Sequence, residues 1–399
     1  MRWIEGGVTA AAGFRASGVS ARIKRSRKPD LALVLCENLA TVAGVLTRNR
    51  VQAAPVTISR QRLNRGRARA ILINSGCANC LTGPAGMRDA LVLGGLVVRK
   101  LGVADEDLLL ASTGIIGRRL PVDRIRRAIP ALVHQLSSSG HRAAAEAMLT
   151  TDLQPKEVAL EARIGGKVCR IGGMAKGAGM IAPSMATMLA VITTDATINP
   201  VVLRGILQQV TDRTFNCISV DGDMSTNDTV FALASGASEV TIRPGSRQAH
   251  AFAAMVEAVM GRLAVLIVKD GEGATRITEI EVIGARSERE AQACARQVAL
   301  SPLVKTMLAG GDPNIGRIAA AVGASSAVFD PRHLMVDIGG RRVISHGVAV
   351  RVPKLIARRL LTGSEVSVRV KLGAGRARGR MLTSDLTEKY VRINARYST

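Results

Sequence analysis

Five Phe, two Tyr and one Trp are all the aromatic side chains in this sequence of 399 residues, 2% of the chain. Its core must therefore be filled by Ala, Val, Ile, Leu and Met. The length is ample for a large core, as one big domain or two intimate ones. Hydrophobic residues are 47% and charged residues 22%, the balance of an ordinary globular enzyme.

Short apolar strands alternate with amphipathic helices, broken by Gly-rich turns. Ala68–Ile73 is a continuous apolar run that enters Asn74-Ser75-Gly76, which reads as a buried strand ending in a loop. Helical periodicity follows over Asp89–Leu101, Asp123–Val133 and Phe252–Met260. Asn199 before Pro200 predicts a helix start, because Asn can cap and Pro is tolerated in the first turn. Ser287-Glu288-Arg289-Glu290 has capping-box spacing and predicts a helix through Cys294. Val366, Val368, Val370 and Leu372 alternate with polar residues, as in a half-buried strand. Strands and helices mix without strict βαβ repetition. A layered α+β fold follows, with mixed sheets covered by helices.

The formal net charge is +24. Such a field attracts anionic partners, but it bears on partners and solubility rather than on fold. Proteins that stack bases present surface aromatics. This chain has few, so no specific nucleic-acid partner is expected; the alternative is a general drift toward Arg and Lys that leaves the basic surface incidental, and no role is assigned to the charge. Arg22–Arg27 reads as a solvated basic cluster. Six cysteines are too sparse for a disulfide scaffold, and the Cys77–Cys80 CxxC has no second pair to complete a metal site. No metal is expected. Apolar stretches such as Leu263–Val268 fall short of a membrane span, and the start lacks the apolar run of a signal peptide. A cytoplasmic protein without membrane partners is the expectation.

The chemistry concentrates in Gly172–Leu189. Gly172, Gly173, Gly177 and Gly179 allow backbone conformations that other residues resist. A β-prone apolar run, Thr187–Ile192, follows at once. In such a strained loop a Thr hydroxyl can be pressed against its own preceding carbonyl. Thr187 Oγ would attack the Ala186 carbonyl, giving an ester and a new α-amine by N-to-O acyl shift, and water would then release the two pieces. That amine, with an unperturbed pKa of about 8, can serve as base for its own hydroxyl. A Thr opening a strand after a Gly loop is also a common structural feature. A phosphate-binding loop fails on spacing, because Gly177 rather than Ser or Thr follows Lys176.

The segment GGMAKGAGMIAPSMATMLAVITTDA, Gly172 to Ala196, resembles the signature of the ornithine acetyltransferase, or glutamate N-acetyltransferase, family of arginine biosynthesis. Further stretches agree in order: TRNRVQAAPV from Thr47, INSGCANCLTG from Ile73, STGIIG from Ser112 and TTDLQPK from Thr150. FNCISVDGDMSTNDTV from Phe215, LVKTMLAGGDPNIGRIAAAVG from Leu303 and DLTEKYVRINARYST from Asp385 complete the set.

The resemblance implies self-cleavage between Ala186 and Thr187 into an α chain, 1–186, and a β chain, 187–399, intertwined and commonly associated as α2β2. It implies a ping-pong reaction. Acetyl passes from N2-acetyl-L-ornithine to Thr187 and then to L-glutamate, without a cofactor. Acetyl-CoA is a further co-substrate in some members. Thr113 and Gly114 match the family's oxyanion-hole pair. Thr150, Lys176, Thr187, Glu272, Asn394 and Thr399 match its substrate-binding positions. Lys176 can pair with a carboxylate and Glu272 with an ammonium group, although taken singly each reads as a surface charge. The sequence departs from the family pattern at Cys77, where Asn is usual, at Ile315 for Trp and at Ala309 for Phe. Such shrinkage leaves cavities that each cost a few kcal/mol if unrelieved. Water attacking the same acetyl ester would make the chain a hydrolase, and its basic surface would suit a polyanion binder. Both classes stay open at this stage.

Overall fold

The computed structural model describes residues 1–182 and 188–396. Ala186, Thr187 and Thr399 lie outside the described residues. The chain forms two compact units: Met1–Gly177, Ser184–Asn216 and Met224–Ile267 make the first, and Ala178–Pro183, Cys217–Asp223 and Val268–Thr399 the second. Stretches from both sides of residue 186 occur in each unit.

Among the described residues, the first unit is built on a nine-stranded mixed sheet. Its order is Arg2–Ile4, Lys156–Ile164, Lys167–Lys176, Leu189–Thr194, Thr229–Ala234, Leu31–Leu46, Arg67–Cys77 and Leu108–Ile115, with Phe14–Val19 paired to Leu31–Leu46. Alternate residues of Arg67–Cys77 feed two different cores. Ile71 and Ile73 pack with Ala144–Met148 of one helix, whereas Ala70 and Leu72 pack with Leu93, Val97, Ile125 and Leu132 of two others. A sheet covered on both faces has strands that are apolar throughout. Leu189–Thr194 and Thr229–Ala234 accordingly have every residue buried.

The predicted Phe252–Met260 helix is longer than its periodicity suggested and runs over Arg247–Lys269. At 23 residues it is long and apolar enough to cross a membrane by length and composition, which corrects the sequence expectation that no stretch reaches that length. Half of its most apolar window is buried within the protein. A Cβ added to Gly173 would lie 3.0 Å from Leu263 and 3.1 Å from Val259 of this helix. The helix thus packs closely on the sheet.

The second unit has a seven-stranded mixed sheet centred on Ile277–Ala285, between Ala377–Ser384 and Glu365–Lys371. Helices Glu288–Leu300, Pro302–Gly310 and Gly316–Gly323 supply Cys294, Val298, Met307, Leu308 and Ile318 to its core. A Cβ at Gly379 would sit 2.5 Å from the backbone of Ala291, so glycine is what lets the helix approach the strand. Ile315, where the family pattern has Trp, packs partly buried against this core.

The local signals hold. Asn199 accepts from the Val201 N–H, and Ser287 from the Glu290 N–H at 3.2 Å. Residues of Glu365–Lys371 alternate between exposed and buried. The fold is the layered α+β arrangement expected from the sequence.

Candidate active site

Strands Arg67–Cys77 and Leu108–Ile115 run parallel, and Ser75 and Gly76 register with Thr113 and Gly114. The ladder breaks at Cys77, where the register shifts. Gly114 has φ +127, and a Cβ there would fall 2.3 Å from the Gly76 carbonyl carbon. Only glycine fits this turn. It is held from behind by polar groups: Ser112 Oγ donates to Asn74 Oδ1 at 2.5 Å, and Asn227 Nδ2 donates to the Ser112 and Ala78 carbonyls at 2.8 and 2.7 Å.

Lys176 ends its strand directly across the ladder from Leu189. Its Nζ donates to Thr113 Oγ1 at 3.3 Å, and both side chains are buried. An ammonium group has no acceptor, so the hydroxyl must accept, and its own hydrogen stays available for donation. Lys176 is therefore not the surface charge that its sequence context alone suggested.

Asp152 is the hub beside this pair. Its carboxylate receives Lys156 Nζ at 2.6 Å, the Gly177 N–H at 2.7 Å and the Thr150 N–H at 3.0 Å, and Lys176 Nζ lies 4.0 Å away. Burial pushes this carboxyl up, but the Lys176 and Lys156 charges and the hydrogen bonds prevail and hold it well below the usual carboxylate range. Thr150 thus joins Lys176 through a shared acid.

Asp228 marks the start of the Leu189–Thr194 strand. Its Oδ1 accepts from the Met188 N–H at 3.1 Å, while Oδ2 is buried without a hydrogen-bond partner among the described residues. Burial pushes its carboxyl far above the ordinary value, against the pull of the Met188 amide and the Lys176 charge.

One member of the Arg22–Arg27 cluster is not a solvated surface group. Lys24 is half-buried, and its side chain passes close to Gly76, where an added Cβ would meet it at 3.0 Å. Burial lowers its amine to about 8, although Asp30 and Asp152 work in the opposite direction. Asp30 Oδ2 fixes this loop by accepting from the Ile23 and Lys24 amides at 2.6 and 3.0 Å.

The second unit holds the other described candidates. Glu272 is buried and accepts from Asn394 Nδ2 at 2.7 Å. A Cβ at Gly179 would collide with the Glu272 carboxylate at 2.5 Å, so that glycine leaves room for the acid. Asp221 accepts from the Met180 and Ile181 amides at 2.6 and 2.8 Å and from the Tyr390 hydroxyl at 3.2 Å. Burial and the Asp221 charge both push the Tyr390 hydroxyl up. Asn394 closes the helix Glu388–Asn394, which orders the C-terminal stretch as far as that residue.

Sequence reasoning passed over Asp152, Asn74, Asn227, Asp228 and Lys24. The signal for Asp152 was its place in TTDLQPK, two residues after Thr150 and four before Lys156. The others are brought in from distant segments.

Residues 15–399 match the ArgJ family. The chain belongs to that family. It is 46% identical over 401 residues to the arginine biosynthesis bifunctional protein ArgJ of Gloeobacter violaceus, covering 100% of this chain and 99% of the relative. The chloroplastic ArgJ protein of Oryza sativa subsp. indica is 45% identical over 99% of this chain and 88% of its own length. A crystallised Mycobacterium tuberculosis ornithine acetyltransferase complexed with ornithine is 44% identical, with a TM-score of 0.43 over 46% of this chain and 98% of that one.

Proposed function

We propose that this chain is an acetyltransferase of arginine biosynthesis that moves acetyl from N2-acetyl-L-ornithine to L-glutamate through an acetyl ester on Thr187. Membership of the ArgJ family supports the reaction class. The observation that carries the site is the buried Thr113–Lys176 contact beside Gly114, with Lys176 directly across from Leu189, two residues beyond Thr187.

In this reading Thr187 Oγ first attacks the Ala186 carbonyl. The C–N bond breaks, which frees the Thr187 α-amine and leaves the acyl group as an ester on Oγ; water then hydrolyses that ester, releasing the Thr187 hydroxyl and the Ala186 carboxylate. That amine then takes the hydroxyl proton as Oγ attacks the acetyl carbonyl of the donor. The Thr113 hydroxyl and the Gly114 N–H stabilise the oxyanion. The α-ammonium returns the proton to the departing ornithine amine, and the glutamate amine attacks the acetyl ester to complete the cycle. Lys176, with Thr150 oriented through Asp152, would receive substrate carboxylate; the family resemblance also implies Glu272 and Asn394 as substrate-binding residues. Thr399 completes the proposed set.

Cleavage need not separate the fragments. Strands Lys167–Lys176 and Leu189–Thr194 flank the cut and form one antiparallel ladder. We further assign an α2β2 assembly, a cytoplasmic location and optional use of acetyl-CoA. The six cysteines, all buried and free, suit a reducing compartment.

Mass spectrometry of active protein should find two fragments of nearly equal size with Thr187 as a new amino terminus; an intact active chain overturns the reading. Ornithine release from acetyl-ornithine should require glutamate. Release at the same rate without glutamate would make the protein a hydrolase.

A further inference from the structure

Lys24 lies against the turn of the proposed oxyanion pair and takes no part in the reaction sequence proposed for Thr187. A Cβ added to Gly76 would meet Lys24 Cγ at 3.0 Å and Ile23 Cγ2 at 3.2 Å, and Gly76 registers with Gly114 on the neighbouring strand. Thr113, beside Gly114, accepts from Lys176 Nζ. The stem of Lys24 and the ammonium of Lys176 thus meet one turn from two distant segments. Lys24 is half-buried, and its Nζ donates to the Pro29 carbonyl at 2.7 Å. That uses one of its three N–H donors. No ion pair engages the amine among the described residues.

The acids nearby are already committed. Asp30 accepts from the Ala21, Ile23 and Lys24 amides, and Asp152 serves Lys156, Gly177 and Thr150. Burial pushes Asp228 toward its neutral form. Lys24, Lys156 and Lys176 therefore face only the charges of Asp30 and Asp152, which leaves a cation in excess. Burial lowers the Lys24 amine, and the like charge of Lys176 acts in the same direction. A carboxylate bound between them would offset both effects.

The two substrates of the proposed transfer differ in charge. Acetyl-ornithine carries one carboxylate and glutamate carries a second at its side-chain end. Lys176 is assigned the carboxylate common to both. We infer that Lys24 is the specificity-determining cation for the acceptor and receives the side-chain carboxylate of an acidic amino acid in the second half-reaction. The inference rests on the proposed acetyl transfer. Lys24 forms no bond and moves no proton in it.

With a net charge of +24, a general field also favours anions, so the test must separate Lys24 from that field. L-Glutamate is compared with L-glutamine, which has the same shape without the side-chain charge, at about 0.15 M salt, where exposed charges are screened beyond roughly 8 Å. The proteins are the wild type, Lys24→Met (or Lys24→Gln if the first yields no soluble protein) and an Arg99→Ala control on the exposed side of the helix Gly83–Leu101. In a ping-pong reaction kcat/KM for each substrate reports its own half-reaction. The glutamate-to-glutamine ratio of kcat/KM should favour glutamate in the wild type and the control, and fall at least about tenfold in the Lys24 variant, the low end for a hydrogen bond to a charged group. This ratio does not depend on how much of a variant folds. An unchanged ratio in the Lys24 variant or an equal fall in the control overturns the inference. So does an equal loss of kcat/KM toward acetyl-ornithine, which has no second carboxylate. A wild type without any transfer would count against the proposed function. Calorimetric binding of glutamate and glutamine to the same proteins then decides the inference: a preference for glutamate that Lys24→Met abolishes supports it, and equal binding of the two amino acids to the wild type overturns it.

Discussion

Strand Leu189–Thr194 of the first unit is buried at every residue, whereas Glu365–Lys371 of the second alternates between exposed and buried. One sheet has helices on both faces, and the other keeps a face in water. The difference governs what each can do with charge. On the open sheet, Arg369 and Glu281 pair across neighbouring strands at 2.6 Å with much of the arginine in solvent, where such a pair contributes little. In the closed sheet Asp152, Lys156 and Lys176 have no solvent to fall back on and must satisfy one another. A dry, charged pocket also makes each hydrogen-bond donor count for more in stabilising a developing oxyanion. The covered sheet is where the proposed chemistry lies.

The sharpest way to break this contrast is Thr187→Ala, which should leave one uncut 42.0 kDa chain with no measurable transfer. Thr187→Ser keeps the hydroxyl and should still cleave.

Asp152→Ala should cost about 3–5 kcal/mol in urea unfolding, because it leaves two buried lysines unbalanced. The sign with pH follows from the lowered carboxyl: its stabilisation is present above about pH 4, the ordinary carboxylate pKa, and is lost as acidification protonates it. The gap between wild type and variant should narrow at low pH. A cost below about 1 kcal/mol would place Asp152 with the exposed pairs.

Thr113→Val removes one donor without changing shape and should lower kcat by about two to three powers of ten, with the fold intact by circular dichroism. An unchanged kcat would remove Thr113 from the oxyanion role.

The second unit has its own buried cation. Burial lowers Lys305 to about 8, although Asp385 and Asp221 oppose the shift. The unfolded chain holds this proton up to about pH 10.4. Between about 8 and that value it binds more protons than the folded state, so folding stability gains with rising pH. Stability should rise over that window relative to Lys305→Met, which lacks the titration. Parallel pH curves for the two proteins would refute the shift. The smallest effect is expected on the open face, where Glu281→Ala should cost under about 1 kcal/mol.

Much of the fold was legible because its signals are local. Asn199 and Ser287 cap their own helices within three residues, and the alternation of Val366, Val368 and Val370 states which side faces a core. The proposed site was readable only as a set of residue types: Thr113, Gly114, Thr150, Lys176 and Asn394 stand in contiguous motifs, and Glu272 lies outside them.

Pattern could not show the partners of those residues. The carboxylate shared by Thr150, Lys156 and Gly177 depends on which strands become neighbours, as does the Asn227 amide that ties Ser112 to Ala78. Periodicity is written along the chain and determines which elements form and which faces they bury. Burial of a charge is a property of the volume around it, and only the assembled sheets decided that Lys176 and Asp152 would lie out of water, each dependent on the other.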